Sequence, residues 1–426
     1  MLLEQPLVYY KAILRDFAQS YFAEDERQAI IGIDCEYFDG GRRGIGALRE
    51  YFGACKKDGY PPYAGLFGVM SYDAVYTIER LGTPKEGLYE FPNYFYANAR
   101  AYLHYDKRSK IYSFHGDSAI YERLRGVRAS DFHDLASWRE SGAAHRCEIC
   151  TNLEDEKAHF LGMVERAKEY LRAGDAFQIV VGELLDVATD VPSLLFYECL
   201  RERNPSPYMF HFPTPYGDVV GSSPEVVFEM IDDEIFVAPF AGTRPRGRDA
   251  SEDERLRADL LADHKELCEH RMLIDLARND ISKFARPLSV RVKNPVQVVF
   301  YESVMHIISE VYGKKDAGAD AFDVFSVIFP AGTLSGTPKI RAMQIINELE
   351  RTRRGIYGGG IGFWRFNGDV VMAILIRSAI FARGHAYIGA GAGIVLGSRP
   401  EMEYAEICNK RKSCLNAILA LCGGEK

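Results

Sequence analysis

YMFHFPTPYGDVVGSSPEVVFEMIDDEIFVAPF, residues 208–240, holds four candidate strands in succession, near 208–213, 218–222, 225–231 and 234–240. Further candidate strands fall near 369–381 and 385–390, and helices near 252–283, 318–328, 337–351 and 400–421. Upstream, Phe160, Met163, Ala167, Tyr170 and Leu171 recur at helical spacing from Asp155 to Gly174, where Gly174-Asp175 stops the helix before a β-rich run from Phe177 to Val187. Runs of strands separated by helices, without regular βαβ alternation, predict an α+β fold. They favour antiparallel sheets with helices on one face over a doubly wound parallel sheet. Residues 1–115 mix short aromatic strands, such as Tyr94 to Tyr105, with polar turns, and residues 116–155 read as a charged helical linker. The chain thus divides into an N-terminal region, 1–150, and a larger region, 151–426.

The 426 residues, 47% of them hydrophobic, can bury a large core. A net charge of −8 argues against a nucleic-acid partner, because a phosphate backbone is bound with clustered Lys and Arg. The start, MLLEQPLVYYKAILRDF, lacks a basic segment before a long apolar run, and nowhere do about 18 uncharged apolar residues follow one another. Secretion and membrane spanning are not expected. Nine irregularly spaced cysteines fit reduced thiols in the cytoplasm. Cys147 and Cys150 form a CxxC without a second pair, so they read as linker thiols rather than a zinc or redox site.

Ser398-Arg399-Pro400-Glu401 combines a candidate N-cap, Pro in the first turn and Glu three residues after the Ser. Beyond it Glu403, Glu406 and Lys410 fall on one helix face. Alone they read as a solvated, ion-paired surface. Glu266 and Glu269 repeat the spacing on another helix; were the two helices to face each other, the four carboxylates would suit a hard divalent ion such as Mg²⁺. Gly332–Lys339, GTLSGTPK, leads into a helix and can offer free N–H groups to a carboxylate, although it lacks the ending of a phosphate loop. Gly389–Gly393, GAGAG, reads either as a turn that approaches a ligand or as tight strand packing. Arg377, in the apolar run Asp369–Ser378, needs a buried anion: an internal carboxylate or a substrate's. His306 reads as a packed histidine or a catalyst.

Together the stretches 174–183, 204–212, 221–230, 239–247, 265–281, 301–311, 329–343, 355–363 and 391–410 resemble the chorismate-utilising family, which includes anthranilate, aminodeoxychorismate, isochorismate and salicylate synthases. The resemblance implies a large fold in which two antiparallel sheets enclose a cleft between helices, with residues 151–426 forming the chorismate-binding catalytic region. It implies that Glu266, Glu269, Glu403 and Glu406 surround Mg²⁺, with Glu269 and Glu406 as direct ligands. Tyr357, Arg377 and backbone at Gly391, Ala392 and Gly393 would take the enolpyruvyl carboxylate, with Thr333 nearby and Lys410 beside the metal-bound end. Glu225 resembles the family's general acid, and His306 would sit by the departing side chain.

Two positions separate the sister reactions. Where water-adding members carry a lysine base this chain has Gln178, and where aminodeoxychorismate synthases carry a lysine nucleophile it has Ala241. The resemblance therefore implies amination of chorismate at C2 by ammonia, giving anthranilate and pyruvate at the entry to tryptophan biosynthesis. No glutaminase nucleophile motif is found, so a separate glutamine amidotransferase subunit, and hence a hetero-oligomer, is expected. Pro205, Ser206, Tyr208 and Met209 match the family's tryptophan-binding segment, whereas Ile31–Cys35, in roughly the place of its companion motif, departs from it. The alternatives are an aminodeoxychorismate synthase that lost its lysine and a silent regulatory subunit that binds tryptophan or chorismate. A metal-dependent phosphohydrolase would explain the carboxylates but not Gln178, Arg377 and the glycine turns together.

Overall fold

The strands read in 208–240 form at Tyr208–Phe212, Asp218–Ser223, Val226–Ile231 and Glu234–Val237, followed by Phe240–Pro245. The computed structural model describes residues 2–56, 59–132, 134–300 and 304–423, apart from the side chains of Thr243 and Val304. Tyr301, Glu302 and Ser303, part of one family-like stretch, lie outside the described residues. Nineteen described strands form one hydrogen-bonded network, and every pairing in it is antiparallel.

The network folds back on itself into two leaves. One leaf runs from Arg291–Phe300 through Val304–Lys314, Glu234–Val237, Val226–Ile231, Val370–Ile374 and Gly360–Arg365 to Gly65–Met70. The other runs from Tyr21–Glu24 through Tyr208–Phe212, Asp218–Ser223, Ser378–Ala382 and His385–Ile394 to Gln178–Thr189. Tyr94–Asp106 and Gln28–Asp39 join them. Strands from the first 115 residues are thus paired directly with strands from the later region. Between the leaves aromatic rings interlock: Tyr21 stacks on Phe67 with centroids 4.3 Å apart, and Phe212 meets Phe67 edge-on at 5.4 Å. Helices Pro6–Asp16, Ser193–Arg203 and Pro400–Leu421 bury Tyr10, Phe196 and Ile418 against the outside of the second leaf. Helix Leu153–Ala173 packs Phe160, Met163, Ala167 and Leu171 against Ile179 and Ile394. Asn152 starts it by accepting the Glu154 and Asp155 N–H groups, and Gly174, at φ 85°, ends it. Among the described residues no helix is long and apolar enough to cross a membrane.

Several boundaries differ from the sequence reading. The helix expected over 252–283 is two, Ala250–Ala262 and His264–Ser282, because Asp263 ends the first and its carboxylate accepts the Lys265 and Glu266 N–H groups of the second. The strand expected over 369–381 breaks between Ile374 and Ser378, where Arg377 takes a left-handed φ of 51°. Ser398 does not cap the last helix: Arg399 holds that position, and the Ser398 hydroxyl accepts the Val395 N–H at 3.1 Å. Gly389–Gly393 is no turn but the inside of strand His385–Ile394.

Candidate active site

Two chain segments cross between the leaves at the same place. Asp218–Ser223 pairs with Ser378–Ala382 in one leaf, and Val226–Ile231 pairs with Val370–Ile374 in the other. Glu225 and Arg377 are the residues in passage, and backbone bonds tie the crossings together: Ile374 N–H to Glu225 O at 2.9 Å, Ser222 N–H to Arg377 O at 3.2 Å. Alternation is suspended there, so both side chains are free to turn into the cleft between leaves. Burial pushes the Glu225 carboxyl above its ordinary range, against the pull of Lys410 and Arg377 and a 3.3 Å hydrogen bond from the Thr333 hydroxyl. Burial likewise makes the Arg377 guanidinium easier to discharge than usual. Arg377 donates to the Lys410 carbonyl at 2.7 Å and forms no ion pair with a carboxylate among the described residues. Of its two sequence readings, the internal salt bridge is therefore not made.

Tyr357 is buried against the glycine strand. A Cβ on Gly389 would stand 2.2 Å from the Tyr357 ring, and one on Gly391 would stand 2.6 Å from its hydroxyl. These glycines leave room for a side chain, Tyr357, rather than for a tight turn. Gly389→Ala is expected to push Tyr357 into the cleft, costing about 1–3 kcal/mol of stability and raising KM more than it lowers kcat. Denaturant titration and steady-state kinetics check this. An unchanged KM would mean that Tyr357 does not border bound substrate.

The helices His264–Ser282 and Pro400–Leu421 bring the four predicted glutamates into one electrostatic neighbourhood. Burial raises Glu269 to about 7, and Glu266 and Glu406 push the same way. Burial also raises Glu266 and Glu403, and each feels Glu406. Glu406 is the exception: burial pushes it up, but the Lys410 ammonium 2.7 Å away brings it below its ordinary value. Glu406 pairs with Lys410 and Glu269 with the Gln178 amide at 2.5 Å, and no three of the four residues bring one oxygen each within 4.8 Å of one another. The donors are all oxygen, and their shared negative charge is what a hard divalent cation relieves, so the residues fit Mg²⁺.

Gln178 has a second feature. Its Nε2 is held by Glu269, while its Oε1 is buried without a partner. Lys410 also donates to the Gly391 carbonyl at 2.8 Å. His306, on Val304–Lys314, bonds the Gly242 carbonyl through Nδ1 at 3.1 Å. Burial pushes its imidazole down to about 4, and Arg377 and Lys410 add to the shift, which keeps it neutral near pH 7.

Tyr208 and Met209 pair in register with Ser223 and Ser222, just ahead of the Glu225 crossing. Tyr208 and Met209 line a separate pocket with Ala23, Gln28, Phe67 and Arg365, which Pro205 and Ser206 do not border. The strand beside Tyr208–Phe212 is Tyr21–Glu24, not Ile31–Cys35, which lies one strand further out.

Arg354 and Glu350 form a further buried pair beside the cleft. Arg354 donates to both oxygens of Glu350, to the Leu334 carbonyl at 2.6 Å and to the Val180 carbonyl at 2.7 Å, and its guanidinium lies over the Tyr72 and Tyr357 rings. Glu350 also accepts the Gly182 N–H at 2.9 Å. The only signal in the sequence is an i,i+4 acid–base spacing across the end of the helix expected over 337–351.

The family model described as "chorismate binding enzyme" matches residues 22–416. The chain is 38% identical to the anthranilate synthase component 1 of Thermococcus kodakarensis over 97% of each chain. It is 47% identical to that of Aquifex aeolicus over 62% of this chain, an alignment that spans 53% of the relative. The solved anthranilate synthase component I of Streptococcus pneumoniae superimposes with a TM-score of 0.81 at 30% identity, covering 91% of this chain and 92% of that one. An Escherichia coli menaquinone-specific isochorismate synthase shares the fold at a TM-score of 0.74 and 17% identity, over 97% and 91% of the two chains.

Proposed function

Because the chain belongs to the chorismate-binding enzyme family, we propose that it is the large subunit of an anthranilate synthase, converting chorismate and ammonia to anthranilate, pyruvate and water. The observation that carries the choice of nucleophile is Gln178. An amide cannot deprotonate water, and its buried, unpartnered Oε1 is an acceptor for an N–H of ammonia. Ala241, buried in its strand, presents no amine that could attack the ring.

Glu269 and Glu406, backed by Glu266 and Glu403, would hold Mg²⁺. Bound there, the ion supplies a positive charge for the ring carboxylate of chorismate and a fixed orientation. Arg377, placed in the crossing with no internal carboxylate, clamps the enolpyruvyl carboxylate beside Tyr357, with backbone at Gly391, Ala392 and Gly393 as the wall and Thr333 at the edge. Lys410 compensates negative charge at the metal-bound end. Glu225, its carboxyl held above the ordinary range by burial and raised further by the arriving dianion, gives its proton to the C4 hydroxyl as ammonia attacks C2, and water leaves. Loss of the C2 proton and cleavage of the bond to the enolpyruvyl oxygen then aromatise the ring and release pyruvate. Neutral His306 is the base nearest that end of the cleft. Ammonia is supplied by a separate glutamine amidotransferase subunit, in a cytoplasmic hetero-oligomer.

Incubation with chorismate, ammonium and Mg²⁺ is expected to yield fluorescent anthranilate with one equivalent of pyruvate. Chelation is expected to abolish the product, and readded Mg²⁺ to restore it. Aminodeoxychorismate without pyruvate would overturn the reading in favour of the folate-branch enzyme. Chorismate binding without turnover would make the chain a regulatory subunit.

A further inference from the structure

The CxxC of Cys147 and Cys150 is not a unit in the folded chain. Cys147 sits on the edge strand Cys147–Ile149 beside Cys422, whereas Cys150, just past the strand end, is exposed on another side of the same edge. There its backbone N–H bonds the Asp186 carbonyl at 2.9 Å, and Asp186 is in register with Tyr387 on the next strand. Two residues before Tyr387, on the same face, His385 directs Nδ1 to the Asp186 carboxylate at 2.7 Å. The Cys150 sulfur, an Asp186 carboxylate oxygen and a His385 ring nitrogen lie within 4.8 Å of one another, the only such trio of donors among the described residues.

We propose that Cys150, Asp186 and His385 form a binding site for a borderline divalent cation of the Zn²⁺ type, distinct from the glutamate cluster. Thiolate, carboxylate and imidazole are a donor set that Zn²⁺ takes and Mg²⁺ does not. Charge balances: with the thiol proton released to solvent, one thiolate and one carboxylate neutralise a dication, and neutral His385 adds no charge. The three donors come from the edge segment and two neighbouring strands already locked in register, so little ordering is needed. Cys150 is exposed and the pair beside it half-buried, which leaves a fourth position open to water. Asp186 and Gln178 lie on one strand, roughly 26 Å apart at about 3.3 Å per residue, so the site is not part of the cleft. Its physical effect is to clip the short edge strand, which carries the chain out of the linker, onto the sheet.

The test is titration of the full chain with Co²⁺ under excess Mg²⁺. One equivalent is expected to give tetrahedral d–d absorption and a thiolate-to-cobalt charge-transfer band, both displaced by Zn²⁺, and Zn²⁺ is expected to raise Tm. Cys150→Ser should abolish the charge-transfer band. Losing a partner outside the ligand shell typically weakens metal binding about 10–100-fold, so His385→Gln, which removes a ligand, should weaken it at least about 100-fold. Cys268→Ser, which removes the other exposed thiol that lies beside a histidine, should change neither. No thiolate band at one equivalent, or a band that survives Cys150→Ser, would overturn the proposal. His385→Gln keeps it testable should the serine variant fold poorly.

Discussion

Glu225→Gln is expected to lower kcat for anthranilate formation by about 10²–10⁴-fold, the usual contribution of a positioned general acid, with KM for chorismate little changed. Glutamine keeps the shape and can still accept the Thr333 hydroxyl hydrogen bond, but it has no proton to give the leaving hydroxyl. Stability should move the other way. A carboxyl whose pKa is higher folded than unfolded favours the fold only while protonated, and its contribution is lost as pH rises through the folded value. The variant should therefore match the wild type at acidic pH and equal or exceed it as pH rises. Circular-dichroism melts across pH, alongside kcat, check both halves. A variant that loses activity and stability together would make Glu225 a packing group rather than the acid.

How much of this site can be read without coordinates depends on the distance over which each cue acts. Helix Leu153–Ala173 is legible because Asn152, five buried apolar positions and Gly174 all act within a few residues. The glutamate pairs are legible as pairs, since i,i+3 spacing is local. Their meeting is not, because it depends on Asp263 breaking one long helical run into two and redirecting Glu266 and Glu269. The crossing at Glu225 and Arg377 is hidden for a different reason. Apolar runs such as Val370–Ile376 look the same whether a strand continues or changes leaf, and nothing adjacent in sequence announces that Arg377 adopts a left-handed backbone. The partner of the 208–212 strand is not legible either, because pairing joins segments far apart in sequence. Hydrogen bonding assigns the place to Tyr21–Glu24, whose buried Glu24 is held by Lys107, Tyr197 and Arg201.

Arg354→Met is expected to cost about 3–5 kcal/mol of stability, the range found when one partner of a buried ion pair is removed, and to impair turnover although Arg354 touches no substrate. Both consequences follow from where its bonds go. The guanidinium holds the Val180 carbonyl in the strand that begins with Gln178, the Leu334 carbonyl next to Thr333, and the Glu350 carboxylate that in turn holds the Gly182 N–H. It also backs the Tyr357 ring. One buried cation thus sets the relative positions of three pieces that carry cleft residues, which makes it a positioning residue. Burial raises the Glu350 carboxyl, and Arg354 is the largest opposing influence. Without Arg354, Glu350 should rise further, so the variant should lose stability more steeply than the wild type as pH rises above the ordinary carboxylate range. The double variant Arg354→Met/Glu350→Leu separates the two roles. It removes the orphaned carboxyl and is expected to regain part of the lost stability, because apolar replacement of a buried pair is often neutral, whereas unpaired backbone groups keep their cost. The Leu334 and Val180 carbonyls and the Gly182 amide still lack their partners, so kcat should stay low and KM high. A double variant that recovers activity along with stability would reduce the pair to a generic element of the core.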